Sequence, residues 1–121
     1  MNNPLKNNLY APGTHIILDF FDAKYTNDME YVEQSLRKVA NICNATILNV
    51  KLHSFGKDSG ITGVLLLAES HITIHTWPEI NFIALDIFMC GKCDARLAIE
   101  PLKEMFSPKS TNIKEVNRGI Q

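Results

Sequence analysis

Apolar and polar side chains alternate along three segments of this chain. Residues 46–55, 71–77 and 83–90 each place aliphatic side chains at every second position, with polar or aromatic side chains between them. Successive residues of a β-strand point to opposite faces of the sheet. The pattern therefore predicts an antiparallel sheet with one aliphatic face and one face of a different character.

The remaining segments complete a two-layer plan. We predict strands at 15–21, 46–55, 62–68, 71–77, 82–89 and 111–116. Apolar residues at steps of three and four predict a helix over 28–42, capped by Asn27 or Asp28. A second helix should begin at an Asp94 cap, with Pro101 kinking it or ending it early. Residues 1–13 are predicted to form a loosely held arm. The expected fold is α/β, a two-layer α+β sandwich whose mainly antiparallel sheet has two helices packed on one face.

Length and charge limit the possible functions. The 121 residues suit a single domain, 1–121, and the net charge of −1 comes without a basic run that could follow a phosphate backbone. The longest apolar run, residues 64–68, is too short to span a bilayer, and the first residues lack a signal-peptide core. Three cysteines suit free thiols better than a disulfide framework. We therefore expect no nucleic-acid or membrane partner, and a cytoplasmic location.

Two helices can cover only one face of the predicted sheet, and we expect that face to be the aliphatic one. The other face gathers histidines, a thiol, an acid and aromatic rings, among them His15, His71, His75, Asp86 and Cys90. One interpretation is a dimer interface with hydrogen-bonded histidines. Another is a metal or redox site at Cys90-Gly-Lys-Cys93, although a single Cys-x-x-Cys is a weak signal and we expect no metal.

A third interpretation rests on a longer motif. The segment 68–79 reads Ala-Glu-Ser-His-Ile-Thr-Ile-His-Thr-Trp-Pro-Glu, and 85–91 reads Leu-Asp-Ile-Phe-Met-Cys-Gly. Together they resemble the small prokaryotic S-adenosylmethionine decarboxylases, which are pyruvoyl enzymes of polyamine synthesis. The resemblance implies self-cleavage between Glu69 and Ser70 into chains 1–69 and 70–121. It also implies that Ser70 becomes a covalent pyruvoyl group, the cofactor that forms a Schiff base with the substrate amine.

The resemblance also assigns roles to individual residues. His75 matches the histidine that helps remove the Ser70 α-proton during processing, and Thr62 matches a position, often serine, that assists it. Threonine keeps the hydroxyl but is stiffer at χ1, so slow processing is possible. Cys90 matches the proton donor of the decarboxylation, a role that suits a thiol because thiols are mostly protonated at neutral pH.

Substrate contacts follow from the same match. Phe55 and Trp77 match the aromatic residues on either side of the adenine, and Glu79 matches the residue that accepts hydrogen bonds from the ribose. The family implies a homodimer of cleaved protomers that decarboxylates S-adenosylmethionine to the aminopropyl donor for spermidine. Three alternatives stay open: a pyruvoyl decarboxylase of arginine or ornithine, an unprocessed non-catalytic relative, and a zinc-binding module.

Overall fold

The computed structural model describes residues 12–121, which form one antiparallel sheet of six strands with two helices against it. This confirms the predicted fold class. The strands are β1 (Gly13–Phe21), β2 (Ile47–Ser54), β3 (Ile61–Leu67), β4 (Ser70–Trp77), β5 (Phe82–Cys90) and β6 (Ser110–Arg118). Their order across the sheet is β2-β3-β4-β5-β1-β6.

Strand ends differ slightly from the predicted ones. The last strand is longer than predicted because it pairs with β1 along its whole length, from Arg118 opposite Gly13 to Ser110 opposite Phe21. The predicted arm over 1–13 falls mostly on residues 1–11, which lie outside the described residues, and Gly13 already belongs to β1.

The core lies between the aliphatic face of the sheet and the two helices. Helix α1 spans Met29–Ile42, and its cap is Asp28, whose carboxylate accepts a hydrogen bond from the Tyr31 backbone N–H at 3.0 Å. Side chains of β1 and of both helices meet in this layer and are fully buried, among them Leu18, Leu36 and Phe106. Each such side chain contributes roughly 1.5–3 kcal/mol by burial.

The second helix corrects one prediction. Asp94 caps a short 3₁₀ turn, Ala95–Ala98, and helix α2 (Ile99–Phe106) follows it directly. Pro101 does not end α2, which continues to Phe106. It lies in the first turn of the helix, where a backbone N–H has no intrahelical partner, so its missing donor removes no hydrogen bond.

The opposite face of the sheet, which we call the open face, is not covered by either helix. It carries large apolar side chains that remain more than a third exposed: Ile17, Phe21, Val64, Leu66 and Trp77. Polar and ionisable side chains lie between them, among them His15, His71 and Asp86. Within residues 12–121, neither helix has the length and apolar character needed to cross a membrane.

Candidate active site

The turn between β3 and β4 carries the motif's Glu69-Ser70 bond. Leu67 pairs with Ser70, so only Ala68 and Glu69 lie between the strands. Glu69 has a φ of +66°, a left-handed conformation that costs a residue with a side chain about 1–2 kcal/mol. The Cys90 thiol, at the end of the neighbouring strand β5, donates a hydrogen bond to the Glu69 carbonyl oxygen at 2.8 Å. The structure thus brings Glu69, Ser70 and Cys90 together.

The Ser70 hydroxyl has an unusual environment. Ser70 is only 7% exposed and shares the helix-covered side of β4 with Ile72 and Ile74. Its Oγ has no hydrogen-bond partner among residues 12–121. Leaving a buried hydroxyl unpaired costs about 1–3 kcal/mol, so such groups are rare unless they have a function.

A second group of motif residues lines a cavity at the other end of β4. The cavity holds about 310 Å³ and includes Phe55, Thr62, His75, Trp77 and Glu79 in its wall. Phe55 is 63% exposed and Trp77 39% exposed, so both rings are open to a ligand. Of the residues 12–121 that line it, two are acidic, Asp58 and Glu79, and none is lysine or arginine.

Two local features shape this cavity. Thr62 lies opposite His75 in the β3–β4 register, and its Oγ1 is 3.3 Å from the His75 Nδ1. Gly60 lies where the chain passes close to the end of β4, and a Cβ at Gly60 would come within 2.1 Å of the Thr76 carbonyl oxygen. Only glycine allows this approach. The 55–60 loop can therefore lie against the end of β4 and form part of the cavity wall.

The two groups of motif residues are far apart within one chain. His75 follows Ser70 by five residues on the same extended strand, which corresponds to roughly 16 Å at the rise of a β-strand. The two residues also differ in parity, since Ser70 is on the helix-covered side and His75 is on the open face. A single chain therefore does not bring the His75 imidazole to the bond that the motif marks for cleavage.

Comparison with known proteins assigns the family. A family model described as S-adenosylmethionine decarboxylase matches residues 14–119. The chain belongs to the S-adenosylmethionine decarboxylase family. A relative named S-adenosylmethionine decarboxylase proenzyme from Thermodesulfovibrio yellowstonii is 41% identical over 93% of this chain and 84% of its own length. One of the same name from Clostridium botulinum is 41% identical over 88% of this chain and 94% of its own length.

A solved structure gives the same result. The crystal structure of the adenosylmethionine decarboxylase from Aquifex aeolicus superposes with a TM-score of 0.82 at 30% identity. It covers 92% of this chain and 93% of its own. The sheet and the helices described above therefore have an S-adenosylmethionine decarboxylase fold.

The cysteines of this family member differ from one another. Burial raises the pKa of the Cys43 thiol to about 11, with smaller contributions from Asp94 and Cys93, so this thiol stays protonated in the core. Cys93 donates a hydrogen bond to the Asn44 carbonyl at 3.3 Å, just beyond the end of α1. Within residues 12–121, no three side chains of the metal-ligating types are grouped to hold a metal ion.

The structure also shows a hydrogen-bonded network that the sequence does not reveal. Asp86 lies between His15 and His71, and Arg118 reaches the other side of the His15 ring. Alternation predicted that the two histidines and Asp86 share one face. It does not predict that they contact one another, or that Arg118, which is distant in sequence, contacts His15.

Proposed function

We propose that this member of the S-adenosylmethionine decarboxylase family cuts itself between Glu69 and Ser70 and decarboxylates S-adenosylmethionine with the pyruvoyl group that forms. The observation that carries the proposal is the hydrogen bond from the Cys90 thiol to the Glu69 carbonyl, at 2.8 Å. It puts the one partly exposed thiol of the motif on the bond that must be cut. The relatives' name, proenzyme, agrees with self-processing.

The cleavage begins with the Ser70 hydroxyl. Its oxygen attacks the Glu69 carbonyl carbon, and the amide becomes an ester once the bond to nitrogen breaks. The Cys90 thiol already donates to the carbonyl oxygen on which negative charge develops. Loss of the Ser70 α-proton then releases Glu69 as a carboxylate, and water converts residue 70 to a pyruvoyl group with loss of ammonia. The products are chains 1–69 and 70–121.

The local structure favours this reaction. The left-handed conformation of Glu69 stores strain at the residue whose carbonyl is attacked, and cleavage frees it. The Ser70 oxygen is not committed to any hydrogen bond among residues 12–121, so no bond has to break before it turns toward the carbonyl. Both features belong to the precursor rather than to the finished enzyme.

The pyruvoyl keto group would supply an electron sink for the substrate carbon that bears the amino group, as carbon dioxide leaves that carbon. Residues of the chain do the rest. Cys90, half-buried beside residue 70, delivers the proton to the substrate carbon. In the cavity, Phe55 and Trp77 bind the adenine ring and Glu79 accepts hydrogen bonds from the ribose. The two acidic residues and two aromatic rings also suit the positive sulfonium, at roughly 0.5–2 kcal/mol per ring.

A homodimer completes the site. The cleavage end and the cavity lie roughly 16 Å apart on β4. Two copies can pack open face against open face, related by a two-fold axis that lies between the faces. The axis runs perpendicular to β4 and passes near Thr73. It places the His75 of a second copy over the Ser70 end of the first. The same contact covers apolar side chains that are costly to expose, such as Leu66 at 51% and Val64 at 38%. His75, held by Thr62, then removes the Ser70 α-proton in the other chain.

The first test is the mass of the denatured protein together with a product assay. We expect two fragments, 1–69 and 70–121, with the second lighter than a free-serine fragment by one ammonia. Carbon dioxide release should be measured with S-adenosylmethionine, arginine and ornithine side by side. Release from S-adenosylmethionine alone supports the proposal, whereas release only from arginine or ornithine assigns a different substrate. A single intact mass identifies an unprocessed relative.

A Cys90 series separates its two tasks. We expect Cys90→Ala to slow cleavage about tenfold, because a thiol is a weak donor, and to lower decarboxylation by on the order of 100-fold. Cys90→Ser keeps a donor on the Glu69 carbonyl but replaces the thiol with a far weaker acid. It should cleave near the wild-type rate and still decarboxylate poorly.

Timed mass spectra and carbon dioxide release measure the two steps separately. Cys93→Ser is the matched control, since Cys93 contacts Asn44 rather than the cleavage site. Equal cleavage rates for Cys90→Ala and the wild type would show that the thiol has no part in processing.

A further inference from the structure

The network on the open face joins four strands. Asp86 on β5 receives hydrogen bonds from His15 Nε2 on β1, at 2.5 Å, and from His71 Nε2 on β4, at 3.3 Å. Arg118 on β6 donates from Nη1 to His15 Nδ1 at 3.3 Å. The hydrogen bonds thus run from Arg118 through His15 to one oxygen of Asp86, while His71 uses the other. These four residues form what we call the Asp86 network.

Phe88 packs into the same cluster. Its ring stacks on His71, with centroids 5.7 Å apart and planes 23° apart, and meets His15 edge-on at 5.9 Å. Gly13 lies against this ring, since a Cβ there would come within 2.4 Å of the Phe88 Cζ. Phe88 precedes Cys90 by two residues on the same face of β5. One cluster therefore contacts both the residue after Ser70 and the strand that carries the Cys90 thiol.

The position of His71 gains importance once the chain is cut. In the precursor, residue 70 is held on both sides, by Glu69 in the tight turn and by His71. After cleavage the bond to Glu69 is gone, and residue 70 is joined to the protein only through the His71 nitrogen. Whatever fixes His71 then fixes the reactive end of β4.

We propose that Asp86 and His71 are positioning residues that hold residue 70, after cleavage, against the Cys90 thiol. The inference rests on the proposed self-cleavage. Poor positioning has a specific chemical result, because the proton can then reach the carbon of residue 70 instead of the substrate carbon. The substrate nitrogen stays on residue 70, water releases the rest of the substrate as an aldehyde, and residue 70 becomes alanine. Turnover then ends in that active site.

Two variants test the proposal. Asp86→Asn keeps the size of the side chain but leaves one acceptor oxygen where the carboxylate has two, one for each histidine. His71→Phe keeps the stack on Phe88 but loses the hydrogen bond to Asp86. We expect both to cleave as completely as the wild type. Their kcat should fall on the order of 10- to 100-fold, with KM changed less than about twofold, since small misplacement of reacting groups has effects of this size. The 70–121 fragment should gain alanine at its first position during turnover.

Glu33→Gln is the matched control, because it makes the same carboxylate-to-amide change on helix α1, where Glu33 pairs with Arg37 on the other side of the sheet from the network. Wild-type kcat and no extra alanine in both variants would overturn the proposal. So would loss of cleavage in both with a lowered melting temperature, which indicates a structural role. An uncut wild-type chain overturns the proposed function as well, so the two failures are distinguishable.

Discussion

Ser70→Ala is expected to give one intact chain of 121 residues with no decarboxylase activity. The variant lacks the only oxygen that can convert the Glu69–Ser70 amide to an ester, and no pyruvoyl group can form without it. The fold should survive, because the lost Oγ is buried and makes no hydrogen bond within residues 12–121. Removing such a hydroxyl leaves no former partner unsatisfied. Mass spectrometry of the denatured protein and circular dichroism of the native protein measure the two outcomes.

Ser110→Ala serves as the control, since Ser110 also begins a strand but is exposed and remote from the cleavage site. It should be cut as fast as the wild type. Cleavage of Ser70→Ala between the same two residues would mean that another nucleophile acts, and the proposed route to the pyruvoyl group would be wrong.

Mixed pairs of chains should restore what neither variant does alone. If His75 acts on the Ser70 of a second copy, a His75→Ala chain cannot be processed efficiently in its own homodimer. We expect its cleavage to slow by at least 100-fold, the usual contribution of a general base. Paired with a Ser70→Ala chain, it receives a normal His75 opposite its own Ser70. Cleavage of the His75→Ala chain should then return to near the wild-type rate.

The pairs can be made by co-expressing the two chains with different affinity tags and purifying on both. The control partner carries Ser70→Ala and His75→Ala together, and it should restore nothing. Equal cleavage of the His75→Ala chain with either partner would place its processing base elsewhere. The result separates a site shared between chains from one within a chain, which activity of the wild type alone does not.

Local pattern predicted the sheet well. Alternation along 71–77 assigned His71, His75 and Trp77 to one face, and the structure places all three on the open face. A few residues predict Asn27 or Asp28 as the helix cap, and the structure shows Asp28 in that role. A few residues likewise predict the strand near the C-terminus. These features depend on side chains within one or two turns or strand steps of each other, which a sequence displays directly.

Other features depend on distance along and between strands. The alternation predicts the face of His75 but not its separation from Ser70, which lies five residues away on the same strand. The contact between Arg118 and His15 depends on the β1–β6 register, which pairs residues about a hundred positions apart. The prediction for Pro101 is wrong because the effect of a proline depends on where the α-helix begins, and the 3₁₀ turn at Ala95–Ala98 shifts that start to Ile99.

The strand order determines what happens to the two products of cleavage. Chain 1–69 would contain β1, β2 and β3, and chain 70–121 would contain β4, β5 and β6. Because the order is β2-β3-β4-β5-β1-β6, β1 of the first fragment lies between β5 and β6 of the second and pairs with both. Separating the fragments means breaking three strand pairings and opening the core. The two fragments should therefore unfold together in one cooperative transition, and neither fragment expressed alone should form a stable, soluble sheet.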